Sequence, residues 1–148
     1  MNDMATYIRI KVVNPEKIGD GFRAYIRYTI TTETNHSDYS ATNFEVQRRF
    51  SDAHALYEYL VDVYRTNGEH IAHPPAKSML TSARIKTNKS EPNELFQIEI
   101  RRHALEAFLN RLTRNPVIAK DKEFIKFLTS PVVLKQLYIR LLLKLGTI

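Results

Sequence analysis

In this chain every segment with a two-residue apolar rhythm precedes every segment with a helical one, and the change falls inside EVQRRFSDAHAL, residues 45–56. Residues 7–13 alternate Ile8, Ile10 and Val12 against Arg9 and Lys11, the signature of a half-buried strand. NPEKIGDG, residues 14–21, supplies a turn. Residues 22–34 alternate through Ile26, Tyr28 and Ile30, and after a polar break at 35–42, residues 43–50 do so through Phe44 and Val46. Three strands with short connections form an antiparallel meander. Beyond Ser51, the residues Ala53, Leu56, Tyr57, Leu60, Val63 and Tyr64 follow helical spacing. Ser51 or Asp52 can cap the start, and Gly68 can end it. Residues 94–115 and 121–129 predict further helices. Strands first and helices afterwards make an α+β fold, a three-stranded antiparallel sheet against a helical subdomain, rather than a wound parallel sheet.

At 148 residues there is room for one domain with tails. The chain has no cysteine, which excludes disulfides and thiolate metal sites. Its first residues, MNDMATYIRI, show no secretory leader, so a cytosolic location is the expectation. The net charge of +6 is uneven: residues 1–67 carry −1, residues 68–115 carry +3 and residues 116–148 carry +4. That asymmetry suggests an anionic partner, a nucleic acid or an acidic membrane surface, although ordinary basic proteins share it. The motifs G-x-S-x-G, H-E-x-x-H and a phosphate-binding glycine loop are missing. His70 and His73 lack a third metal ligand beyond Glu69. No catalysis, metal or cofactor is expected. The tail is unusual, with ten apolar residues among the 14 from 132 to 145 and Lys135, Gln136, Arg140 and Lys144 on one helical side. As a helix it would reach about 21 Å, short of a bilayer core of about 30 Å. It could pack on this domain, on a partner chain or on a membrane surface.

Arg48 and Arg49 are strand neighbours, so they point to opposite faces and only one can be a specific ligand. An adjacent arginine pair is ordinarily surface charge. Here it runs into Phe50 and then Ser51 at a helix start, where exposed backbone N–H groups favour an anion. On the helix at 94–115, Ile98, Arg101, Leu105, Phe108 and Leu112 share one stripe, so Arg101 projects inward among apolar residues. It needs a buried carboxylate or an anionic ligand. Lys77 follows the rigid Pro74-Pro75 pair. Beyond it, Met79, Leu80 and Ile85 mix with Arg84, Lys86 and Lys89, a composition that suits either contact with an acidic lipid interface or a disordered surface loop.

Taken together, NPEKIGDG with AYIRYTITTET, VQRRFSDAHALYEYL, HPPAKSM and IRRHALEAFLNRL resemble the PX domain of the sorting nexins, closest to the sorting nexin 1 and 2 subgroup. The resemblance divides the chain into an N-terminal tail at 1–6, a PX domain at 7–129 and an apolar, basic tail at 130–148. It implies a pocket for phosphatidylinositol 3-phosphate, with Arg49 on the 3-phosphate, Phe50 under the inositol ring, Ser51 assisting, Lys77 at the 1-phosphate and Arg101 on ring hydroxyls. It also implies a membrane-contact loop containing Met79, Leu80, Arg84, Ile85 and Lys86. The implied function is non-enzymatic: a sorting nexin, cytoplasmic and peripheral on endosomes, serving retromer-type endosome-to-Golgi transport with other sorting nexins or retromer subunits as partners. Ala53 departs from the aromatic the family commonly has there. The alternatives are a PX domain devoted to protein–protein interaction and a basic nucleic-acid-binding domain; no recognised motif supports the second, and a nucleic-acid partner is not expected.

Overall fold

A computed structural model describes residues 4–76, 92–131 and 135–146. Strands β1 (Ile8–Ile18), β2 (Tyr25–Thr34) and β3 (Asn43–Arg49) form an antiparallel sheet in the order β1-β2-β3. Val12 lies opposite Ile30, and Ile30 opposite Val46. All three are buried, so this row lies on the core face. The helices are α1 (Phe50–Tyr64), α2 (Pro92–Thr113), α3 (Pro116–Ala119), α4 (Lys122–Thr129) and α5 (Lys135–Lys144). Leu56, Leu60, Phe108, Phe124, Phe127 and Leu128 close the core against the sheet.

Two local expectations change. Residues 14–21 are not wholly a turn, because β1 continues to Ile18 through a bulge: Val13 pairs with Thr29 and Glu16 with Arg27, leaving Asn14 and Pro15 opposite Tyr28 alone. Asn14 takes the left-handed conformation at φ 51°, which asparagine tolerates, and proline has no N–H to miss at a bulge. The reversal comes later, in the 3-10 turn Gly21–Arg23. The second change is α3, whose four residues are too few to display a period. Asn115 caps it, accepting from the Val117 N–H at 2.9 Å with Pro116 in its first turn. Helix α1 closes through a 3-10 turn onto Gly68 at φ 70°, a conformation that favours glycine.

Polar side chains of α2 cover the free edge of β1. Asn110 accepts from Ile10 N–H at 3.1 Å and donates to Ile10 O at 2.8 Å, Glu106 accepts from Val12 N–H at 2.9 Å, and Arg102 donates to Val12 O at 2.7 Å. These bonds satisfy backbone groups that would otherwise offer a pairing edge. They also fix the direction of α2: it starts beside the β1–β2 turn, where Lys17 meets Glu94 at 3.9 Å. Asp121 ties α1 to α4 by accepting from the hydroxyls of Tyr59 at 3.1 Å and Tyr64 at 2.6 Å while capping α4. Among the described residues, no helix is long and apolar enough to cross a membrane.

Candidate functional site

The junction of β3 and α1 separates the two adjacent arginines by the pleat. Arg48 turns inward with Val46 and is 5% exposed; Arg49 turns outward. Arg48 closes the C-terminal end of α4: its Nε donates to Phe127 O at 3.0 Å, Nη2 to Lys126 O at 3.3 Å and to Ser130 O, and Nη1 to Gln47 O at 2.8 Å. A cation among the last carbonyls of a helix also complements the helix dipole. Arg48 is therefore a strut, not a ligand.

Arg49, rather than the expected Ser51 or Asp52, stands at the N-cap position of α1, because the helix begins at Phe50. Asp52, in the first turn, reaches back and accepts the Arg49 backbone N–H at 2.7 Å, which fixes the turn from strand to helix. The Arg49 guanidinium lies 4.0 Å from the centre of the Tyr25 ring. Phe50 is buried, with its ring 6.5 Å from Tyr28 and stacked on His54 at 5.7 Å. Ser51 is exposed.

Arg101 reaches the same neighbourhood from α2. It is 3% exposed on the stripe it shares with Leu105, Phe108 and Leu112, and its Nε has no hydrogen-bond partner among the described residues. Burial pulls its guanidinium below the ordinary arginine value, and Tyr28 alongside acts in the opposite sense. Tyr28 is in turn pushed up to about 12, by burial first, with Arg101 opposing and Glu99 adding to the rise. Tyr28 thus links Arg101 to Phe50. Arg49, Phe50 and Ser51 are consecutive, and Tyr28 is a neighbour that Phe50 and Arg101 share. Lys77, Met79, Leu80, Arg84, Ile85 and Lys86 lie outside the described residues.

Sequence reasoning missed several neighbours of this site. Tyr25 and Tyr28 look like ordinary strand aromatics until their rings are seen against Arg49 and Phe50. Phe22 is 80% exposed at the β1–β2 turn, and Leu95 and Phe96 are 55% and 64% exposed at the start of α2. The edge contacts of α2 bring these two places to one end of the molecule. Their signal was an apolar residue out of phase with its own element. No group of three or more His, Cys, Asp or Glu residues able to hold a metal occurs among the described residues. Guanidinium groups beside aromatic walls suit an anion, above all a phosphorylated ring.

The comparisons with known proteins agree with this architecture. The PX domain family model matches residues 37–131. Sorting nexin-1 of Bos taurus is 36% identical over 121 residues, covering 82% of this chain and 23% of that protein. Sorting nexin-2 of Homo sapiens is 37% identical over 123 residues, covering 83% and 24%. The chain therefore spans about a quarter of the length of these relatives. The X-ray structure of a designed CISK-PX domain shares the fold, with a TM-score of 0.58 at 22% identity, over 82% of this chain and 99% of that one. The chain belongs to the PX domain family and is related to the PX domains of sorting nexins 1 and 2.

Proposed function

We propose that this PX domain binds the headgroup of phosphatidylinositol 3-phosphate and brings a sorting nexin to the cytosolic face of endosomal membranes, in retromer-type endosome-to-Golgi transport. The observation that carries the reading is Arg101: a guanidinium 3% exposed whose Nε has no partner among the described residues. A buried cation left in that state costs several kcal/mol, and an entering anion or hydroxylated ring offsets the cost. Arg49, exposed on the Tyr25 ring, supplies the 3-phosphate contact, and Phe50 with Tyr28 supplies the apolar wall.

The protruding Phe22, Leu95 and Phe96, with Arg23 following Phe22 in the chain, suit an acidic lipid surface. Each cation near such a surface adds about 1 kcal/mol. The pocket gives selectivity and the rim gives residence. The test is sedimentation with phosphatidylcholine vesicles doped with phosphatidylinositol, its 3-phosphate or its 3,5-bisphosphate. Arg49→Ala is expected to remove the preference for the 3-phosphate while the melting temperature stays where it was. A preference that survives the substitution overturns the assignment.

A further inference from the structure

The tail helix docks on α1, the helix that Arg49 caps. Leu137 is fully buried, Arg140 pairs with Asp62 at 3.0 Å and lies 5.3 Å from the centre of the Tyr59 ring, and Lys144 pairs with Glu58 at 2.6 Å. These contacts lay α5 across α1 and deliver Tyr138 to its first turn. There the Tyr138 hydroxyl donates to Asp52 Oδ1. The other oxygen of the same carboxylate, Oδ2, is the one that holds the Arg49 backbone N–H at 2.7 Å.

We propose that Tyr138 is a positioning residue for the headgroup site, acting through Asp52 on Arg49. The inference rests on the proposed headgroup reading and deepens it. A carboxylate at a helix N-terminus that receives phosphate is a hazard, because its charge opposes the ligand. With a donor on each oxygen, Asp52 is turned toward Tyr138 and the Arg49 amide, its charge is partly answered, and the turn carrying Arg49 keeps one geometry. Burial and the Asp52 carboxylate push the Tyr138 hydroxyl up to about 12, so it remains a donor throughout the neutral range. Without the hydroxyl, Asp52 loses one anchor and Arg49 loses its preorganised setting.

Tyr138→Phe keeps the ring and both ion pairs of α5 and deletes only the donor. Its selective binding to phosphatidylinositol 3-phosphate vesicles is expected to weaken about tenfold. Its non-selective binding to phosphatidylserine vesicles and its melting temperature are expected to match the wild type. The route is tested by a double-mutant cycle with Asp52→Ala: if Tyr138 acts through Asp52, the double variant binds no more weakly than Asp52→Ala alone. Wild-type selectivity in Tyr138→Phe, or losses that simply add, overturns the proposal while the headgroup reading stands. A wild-type protein without phosphoinositide preference overturns both.

Discussion

Two arginines of this domain are almost equally buried and are treated in opposite ways. Arg48, 5% exposed, gives hydrogen bonds to the carbonyls of Gln47, Lys126, Phe127 and Ser130. Arg101, 3% exposed, keeps an unpaired Nε among the described residues and has a tyrosine rather than a carboxylate as its electrostatic neighbour. Folding desolvates both, yet among the described residues only Arg48 of the two has an acceptor for each guanidinium nitrogen. The difference is one of hydrogen-bond partners, not of burial, charge or residue type. Arg48, with an acceptor for each guanidinium nitrogen, fastens elements together, whereas Arg101, with an incomplete set among the described residues, is the proposed ligand group.

The largest expected effect comes from removing the satisfied arginine. Arg48→Met retains bulk but strands the carbonyls at the end of α4 beside β3, and should lower unfolding stability by about 3–5 kcal/mol in urea titration. A loss below about 1 kcal/mol would show that water or rearranged backbone replaces the guanidinium, and the contrast with Arg101 would fail. Whatever fraction stays folded should keep its lipid preference, because Arg48 faces away from the Tyr25 side of the junction.

This contrast was partly legible in the sequence. Strand alternation separated Arg48 from Arg49, and the stripe of Ile98, Leu105, Phe108 and Leu112 marked Arg101 as inward, because both are questions of period. The three-stranded meander was legible for the same reason, and so was the change to a helix, though it falls at Phe50 rather than at Ser51. What Arg48 does inside was not, since three of its four acceptors are backbone carbonyls about 80 residues later, and carbonyls have no residue type to read. The bulge at Asn14 and Pro15 was hidden because one extra residue looks like a turn until its partner strand is known. The grip of Tyr138 on Asp52 was equally invisible, for it joins residues 86 positions apart.

Removing the unsatisfied arginine should do the reverse. Arg101→Met exchanges an incompletely paired cation for an apolar chain of similar length on an apolar stripe, so stability should hold or rise by about 1 kcal/mol. Binding to phosphatidylinositol 3-phosphate vesicles should fall at least about tenfold, a cost of roughly 1.4 kcal/mol. Melting curves and vesicle sedimentation on one preparation measure both. If Arg101→Met destabilises the domain as much as Arg48→Met does, Arg101 has a structural partner and the distinction between the two collapses.

The smallest effect lies in the titration of Tyr28, which records Arg101 without any lipid. Tyr28 is pushed up from 10.0 to about 12, mainly by burial, and Arg101 restrains the rise. Because the folded value is the higher, Tyr28 contributes stability that is complete below about pH 10 and is lost as pH climbs through about 12. Deleting the restraining cation should move the tyrosine signal still higher in Arg101→Met, followed by carbon NMR of labelled tyrosine, and the alkaline loss of stability attributable to Tyr28 should extend to higher pH. Arg48→Met should leave that titration in place, since the charged neighbours that act on Tyr28 are Arg101 and Glu99. An identical Tyr28 curve in wild type and Arg101→Met would mean that the charge of Arg101 is already neutralised by a partner, and its proposed role in the headgroup site would fall.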